Sequence, residues 1–201
     1  MTFRGISMID EATVRTAQER ARHYFRTRCT EAPAETIRAS VRDACESIEG
    51  FLASVPVSAV MTARPGHWSI QETVDHLVET YRPGLDELRC LLAGQAPPGD
   101  PIPASLRSKA PGLRPWAWLL RELQQIHADV GALLASARDD RPTTARAPIV
   151  MVVNVQGVDG TLVPIEWVED LDWKAYAMVS WRLHTIDHMK QARAALAALH
   201  P

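Results

Sequence analysis

Apolar residues recur every three or four positions along four long stretches of the chain, the period of amphipathic α-helices. The first lies between Pro33 and Pro56 and carries Ile37, Val41, Ala44, Ile48, Phe51 and Leu52. Pro33 suits an opening helical turn and Pro56 a stop. The second opens at Trp68-Ser69-Ile70-Gln71-Glu72, where the Ser69 hydroxyl can cap the Glu72 amide and the Glu72 carboxylate can reach back. Its stripe is Ile70, Val74, Leu77, Tyr81, Leu85, Leu88 and Leu92. Pro83-Gly84 interrupts this pattern, and a proline there removes a backbone bond and crowds the Glu79 carbonyl, so a kink near Tyr81 or a break into two helices is expected. The third stretch, about residues 115–137, carries Leu119, Leu123, Ile126, Val130, Leu133 and Leu134. The fourth, about 172–199, ends in an alanine-rich run of strong helix formers. Ahead of these lies an arginine-rich segment over about 9–28, with Ser7 and Asp10 in capping-box spacing. Its thin stripe (Val14, Ala17, Ala21, Tyr24, Phe25) predicts packing on the outside of something larger.

The connections shape the fold as much as the helices do. Residues 93–114 contain five prolines, and so long a link is unnecessary between antiparallel neighbours. An extended proline-rich chain at ~3.1 Å per residue can cross the roughly 30 Å length of a 20-residue helix, so helix three is expected to run parallel to helix two after a crossover. Before helix four, residues 149–155 and 161–165 flank Gly157-Val158-Asp159-Gly160, the pattern of a small β-hairpin capping one end of a bundle. Pro164 confines its second strand to an edge. The fold class that follows is all-α: a four-helix bundle with a long crossover between helices two and three, an extra N-terminal helix and a hairpin before helix four. Residues 1–32 are read as the N-terminal extension and 33–201 as the bundle domain.

Composition narrows the partners. The 201 residues carry 22 Lys+Arg against 24 Asp+Glu, a formal net charge of -2, with no basic run, so no nucleic-acid partner is expected. No stretch approaches ~18 consecutive apolar residues and the opening lacks the order of a signal peptide, so neither membrane insertion nor export is expected, and the protein is placed in the cytoplasm. Cys29, Cys45 and Cys90 are odd in number and widely spaced, as reduced structural thiols are. The absence of H-E-x-x-H, E-x-x-H, G-x-S-x-G and phosphate-loop motifs removes zincin, ferritin-like, serine-hydrolase and nucleotide-binding readings.

Helix four holds the chemistry-bearing pattern. His184 and His188, four apart, project from one helix face at a spacing that lets two imidazoles hold one metal ion. They fall with Gln191, Ala195 and Ala198 on nearly the same stripe as Trp173, Ala177 and Ser180, predicted to face the core, where unpartnered histidines are costly. Facing helices of a bundle can supply a third ligand. His67, His76 and His127 are all candidates, and periodicity does not choose among them; His23 sits on the front helix and His200 at the terminus. A bland reading of His76 is a boundary histidine capped by Asp75 or Glu72. Trp116, Trp118, Trp167, Trp173 and Trp181 are numerous enough to wall an apolar pocket, although aromatics in a small helical protein more often fill its core.

Trp68-Ser69, Glu72 and His76-Leu77, followed near the C-terminus by His184-x-x-x-His188-x-x-Gln191, resemble the DinB/YfiT-like superfamily of metal-binding four-helix bundles over about residues 33–199. The resemblance implies a three-histidine metal site at His76, His184 and His188, with a divalent ion such as zinc, nickel or iron. It also implies the crossover topology. Three neutral ligands leave an open position, the arrangement of a catalytic site. Members of the family are described as metal-dependent hydrolases or act as thiol S-transferases and isomerases, so the expected activity is hydrolase-like or thiol-transferase-like chemistry on a small molecule, with a low-molecular-weight thiol as an optional cofactor. Asp75, Asp187 and Gln191 are candidates to accept an imidazole N–H or orient bound water, beside an equally weighted reading as solvated or capping side chains. The hairpin and the Pro83 irregularity depart from the family pattern and are expected to remodel the mouth of the site. The alternative is a non-catalytic bundle with a vestigial metal site serving binding or dimerisation, and either reading leaves room for a homodimer.

Overall fold

The computed structural model describes residues 9–141, 143–157 and 160–198. Its elements are α1 (Glu11–Tyr24), α2 (Ala34–Ala53), α3 (Ile70–Leu92), α4 (Trp116–Ala135), the strands β1 (Ala147–Gln156) and β2 (Leu162–Leu171), a short α5 (Trp173–Ala177) and α6 (His184–Ala197). Residues Phe25–Thr30 and Met178–Leu183 are π-helical, so α5 and α6 are two parts of one helix joined by a wider turn. Helices α2, α3, α4 and α6 pack on one another around a single core, with α2 and α3 each touching both α4 and α6. No described helix is long and apolar enough to cross a membrane.

The stripes read for the first three helices lie on the buried faces of α2, α3 and α4, with Phe51, Leu92 and Leu133 at their partly buried margins, and Ser69 and Glu72 form the complete capping box at the head of α3. Of the two expectations at Pro83, the break into two helices is absent: α3 is helical throughout from Ile70 to Leu92. A proline inside a helix costs about 3 kcal/mol, but Tyr81, Leu85 and Leu88 beside it are buried, and burial of such a side chain is worth roughly 1.5–3 kcal/mol. Packing on both sides of the proline therefore outweighs the lost bond.

The front helix is capped by Asp10, whose side chain accepts from the Thr13 amide at 2.8 Å; the expected cap Ser7 lies outside the described residues. α1 buries none of its residues, consistent with an outer position, but the π-helical turn after it inserts Phe25 and Cys29 into the core. Further ties are Arg22 to Glu169 at 2.9 Å, Thr30 to Asp172, and Lys174 to the Ala32 carbonyl at 2.7 Å.

The hairpin is longer than the sequence pattern indicated, pairing Ala147 with Leu171 through to Gln156 with Leu162. A sheet of two strands has only edges, so Pro164 opposite Asn154 is tolerated. The hairpin packs on α1 and α5.

The proline-rich link after α3 doubles back along it. Gln71 donates to the carbonyls of Pro111 and Arg114 at 3.0 Å each, Arg107 pairs with Glu72 at 2.9 Å, and Arg114 pairs with Glu79 at 2.7 Å. Asp75, fully buried, accepts from the Ser108 amide at 2.9 Å and hydroxyl at 2.7 Å and faces Arg114 at 3.1 Å. The link is thereby fastened to the first half of α3.

The capping box generates a stability prediction. Ser69→Ala frees the Glu72 amide and should lower unfolding stability by about 1 kcal/mol, read from the midpoint of urea denaturation; an unchanged midpoint would show that the box contributes nothing.

Candidate metal centre

His76 on α3 meets His184 and His188 on α6 with one nitrogen of each ring within 4.8 Å of the others. The His76 and His184 Nε2 atoms are 2.9 Å apart, and the three ring centroids lie 4.5–4.9 Å from one another. His76 and His188 are buried and His184 is partly exposed.

The π-helical turn decides how the two α6 histidines are aimed. Buried positions run Trp173, Ala177, Trp181, Thr185, four apart through the wide turn, and then His188, Ala192, Ala195 at ordinary helical spacing. The stripe drawn from an unbroken helix therefore needs correction: Ser180 is only partly buried and Gln191 is exposed. Thr185 takes the innermost place, donating to the Trp181 carbonyl at 2.6 Å and contacting the Tyr81 hydroxyl at 2.5 Å. Tyr81 lies under the cluster, its ring 5.7 Å from that of His184.

Hydrogen bonds fix which nitrogens face inward. His76 Nδ1 is 2.6 Å from the Leu106 carbonyl, which can only accept, so Nδ1 carries the proton and Nε2 presents a lone pair. His188 Nδ1 is 2.9 Å from Gln191 Oε1, which turns its Nε2 inward in the same way. The His184 ring also has a hydrogen bond to the Ser180 backbone. Two nitrogens facing at 2.9 Å need a proton or a cation between them, and protonation is disfavoured at all three rings. Burial lowers the pKa of each: His188 falls to about 3, His184 goes well below its ordinary value with the neighbouring histidines adding to the effect, and His76 is lowered despite the Leu106 bond. The donor set is thus three neutral, converging imidazoles, a set that fits a divalent metal.

Of the candidate supporting residues, Gln191 touches a histidine directly. Asp75 acts instead on Ser108 and Arg114, holding the segment that presents the Leu106 carbonyl. Asp187 is exposed and faces Lys190 at 3.4 Å, away from the rings. His127 lies outside the cluster, its Nδ1 2.5 Å from Glu49, and its buried Nε2 has no partner among the described residues. His23 on α1 contacts Arg26 in the π-helical turn that follows, and His200 lies outside the described residues.

The wall of the site is Trp68, which stacks on the His188 ring at 5.9 Å and 9° and sits 4.8 Å from the His76 ring, with the Arg107 guanidinium over its ring at 4.6 Å. The five tryptophans considered from the sequence do not line it: Trp173 and Trp181 are core, and Trp116, Trp118 and Trp167 pack against it. A cleft of about 320 Å³ opens beside His188, between Arg64, His67 and Trp68 on one side and Gln191 and Ala195 on the other. Neither the hairpin nor Pro83 borders this cleft, which corrects the expectation that they remodel its mouth. Leu106, Arg107 and Arg64 left no signal as site residues in the sequence, because a backbone carbonyl has no side-chain signature and an arginine in a loop has no periodicity to aim it. Burial pushes the Cys29 and Cys45 thiols up to about 12, and all three cysteines are free and outside the site.

The sequence profile of the DinB superfamily matches residues 17–158, more than two thirds of the chain. That stretch includes His76 and ends before His184. Among solved structures, the chain is similar to YfiT from Bacillus subtilis, described as a probable metal-dependent hydrolase with an unusual four-helix bundle topology. The TM-score is 0.56 at 15% identity, covering 83% of this chain and 87% of that one. No curated protein matches the chain.

The buried neutral histidines make stability depend on pH. Each has a folded pKa below the unfolded value near 6.5, so the unfolded chain binds more protons once pH falls below that value, and the metal-free protein should lose stability on acidification. The slope is up to about 1.4 kcal/mol per pH unit for each such histidine. Denaturation of metal-free protein between pH 6.5 and 5 should show it, and His188→Gln should flatten it; equal slopes would refute the assignment.

Proposed function

Because the chain belongs to the DinB superfamily, we propose that it is a metal-dependent enzyme acting on a small molecule, with His76, His184 and His188 as ligands of one divalent cation. The observation that carries this reading is the convergence of three unprotonated imidazole nitrogens whose outer atoms are turned to the Leu106 carbonyl, Gln191 and the Ser180 backbone. Such a donor set suits zinc, nickel or iron. A cation so held keeps its full charge and supplies an open position at which a water or a thiol loses its proton near neutral pH.

The chain's own residues have separable tasks. Leu106 and Gln191 hold His76 and His188 in the tautomers that direct Nε2 inward. Trp68 shields those rings from solvent, leaving the approach to the cleft beside His188. We read the crossover expected from the sequence in the same light: with Arg114 on Glu79 and Arg82 on Glu122 at 2.6 Å, α4 follows α3 in the same direction, and the link between them is free to cover the histidines. We read residues 1–32 as an extension of the bundle, its described part tied on through Phe25 and Cys29.

YfiT's description favours hydrolysis, while the anion-favouring open position equally suits a thiolate in an S-transfer reaction. Protein purified without a histidine tag should contain about one equivalent of divalent metal by elemental analysis. His184→Ala and His188→Ala should abolish binding, whereas His127→Ala should retain most of it; equal loss in all three would move the third ligand to His127, and an empty parent whose melting temperature does not rise with added Zn²⁺ would leave a non-catalytic bundle. Titration of Co²⁺- or Ni²⁺-loaded protein with 2-mercaptoethanol then separates the chemistries. A saturable near-ultraviolet charge-transfer band, absent in His188→Ala, supports S-transfer, and an unchanged spectrum at millimolar thiol supports hydrolysis.

A further inference from the structure

We propose that the cleft selects a small molecule bearing a carboxylate, bound at the rim by Arg64 while the body of the molecule lies against Trp68. The inference deepens the preceding section and rests on it for the charge at the floor of the cleft.

Three observations converge. First, none of the residues lining the cleft is acidic. Its nearest carboxylates are already matched: Glu72 with Arg107 and the Ser69 amide, Asp75 with Arg114 and Ser108, Asp187 with Lys190. With neutral histidines below and Arg107 paired with Glu72, Arg64 is the charged group among the described residues lining the cleft, so the metal-free cleft already favours an anion at its rim.

Second, Arg64 is the one arginine lining the cleft, and its guanidinium has neither a hydrogen bond nor an ion pair among the described residues. Arg82, Arg107 and Arg114, the arginines of the adjacent surface, are each engaged by a carboxylate. A free guanidinium offers the planar fork that matches a carboxylate with two parallel bonds.

Third, the backbone presents Arg64 in a set position. Arg64-Pro65-Gly66-His67 form a turn closed by the His67 amide on the Arg64 carbonyl at 2.9 Å, with Gly66 at φ 77°. Pro at the second place and a positive-φ Gly at the third are the requirements of a type II turn. Both corner side chains, Arg64 and His67, line the cleft, and the loop is anchored to α3 by the Ile70 amide on Thr62 at 3.3 Å and the Gln71 amide on Val60 at 2.8 Å. The arginine is thus placed at the rim by a short, pinned turn. Trp68 and the small Ala194 and Ala195 also line the cleft and leave room for a compact body between the rim and His188.

The test compares mercaptosuccinate with the neutral 1-thioglycerol by calorimetric titration of Ni²⁺-loaded protein. Mercaptosuccinate should bind roughly tenfold more tightly or better, the scale of one charge-assisted bidentate contact, and Arg64→Ala should bring the two thiols to the same affinity, with Arg64→Lys retaining part of the preference. Absence of preference in the parent, or a preference that survives Arg64→Ala, overturns the proposal. Metal content of the same samples distinguishes this failure from that of the metal reading. Should the parent hold no metal, metal-free protein is titrated with succinate and its uncharged diamide: quenching of tryptophan emission by succinate alone, lost in Arg64→Ala, upholds the arginine site, and equal response to both ligands rejects it.

Discussion

The approach of two unprotonated imidazole nitrogens, His76 Nε2 and His184 Nε2 at 2.9 Å, is the constraint on which the rest of the structure depends. Lone pairs do not pack against one another without a positive partner, and burial disfavours protonation at each ring. Holding the three rings together therefore costs free energy in the metal-free protein. That cost must be carried by the surrounding bundle, whose buried stripes on α2, α3, α4 and α6 are continuous around the site. A protein that maintains such a cluster at the expense of its own stability shows the usual separation between what folds it and what it is for.

The proline-rich link after α3 is the second element of this arrangement. A buried carboxylate such as Asp75 is tolerated because every oxygen is occupied, by the Ser108 amide and hydroxyl and by Arg114. The consequence reaches the site through two residues, since the segment that Asp75 pins is the one that carries the Leu106 carbonyl to His76 Nδ1. Glu72 serves twice in the same way, closing the cap of α3 and receiving Arg107, which lies over Trp68. Tautomer, shielding and helix start are thus set by a few charged groups on the first two turns of α3.

The relation to the DinB superfamily and to the YfiT fold places the bundle, and the cleft is shaped by the loop before α3 together with α6. The turn at Pro65-Gly66 and the Trp68 wall flank His188, while the hairpin lies on α1 and α5, away from the opening. Access to the histidines is governed by the segment before α3 and the exposed side of α6.

Helical periodicity by itself determined the four bundle helices, since a 3.6-residue repeat of Leu, Ile and Val can be buried in few other ways, and the capping box at Ser69 and Glu72 is a local device that needs no tertiary context. The pair His184 and His188 was legible for the same reason. His76 could be told from His127 only through the family resemblance, because both border an apolar stripe and periodicity carries no information about what faces it. Tertiary structure alone decided the remainder. Pro83 sits in an unbroken helix because the burial of Tyr81, Leu85 and Leu88 outweighs one missing bond. The wide turn at Met178–Leu183 displaced Gln191 from the expected stripe, because one extra residue per turn leaves composition untouched while rotating everything after it. The Leu106 carbonyl, the Trp68 wall and the Arg64 corner come from loops brought together over 30 residues or more of chain, and long-range contacts made by backbone groups and single side chains have no periodic signature from which to read them.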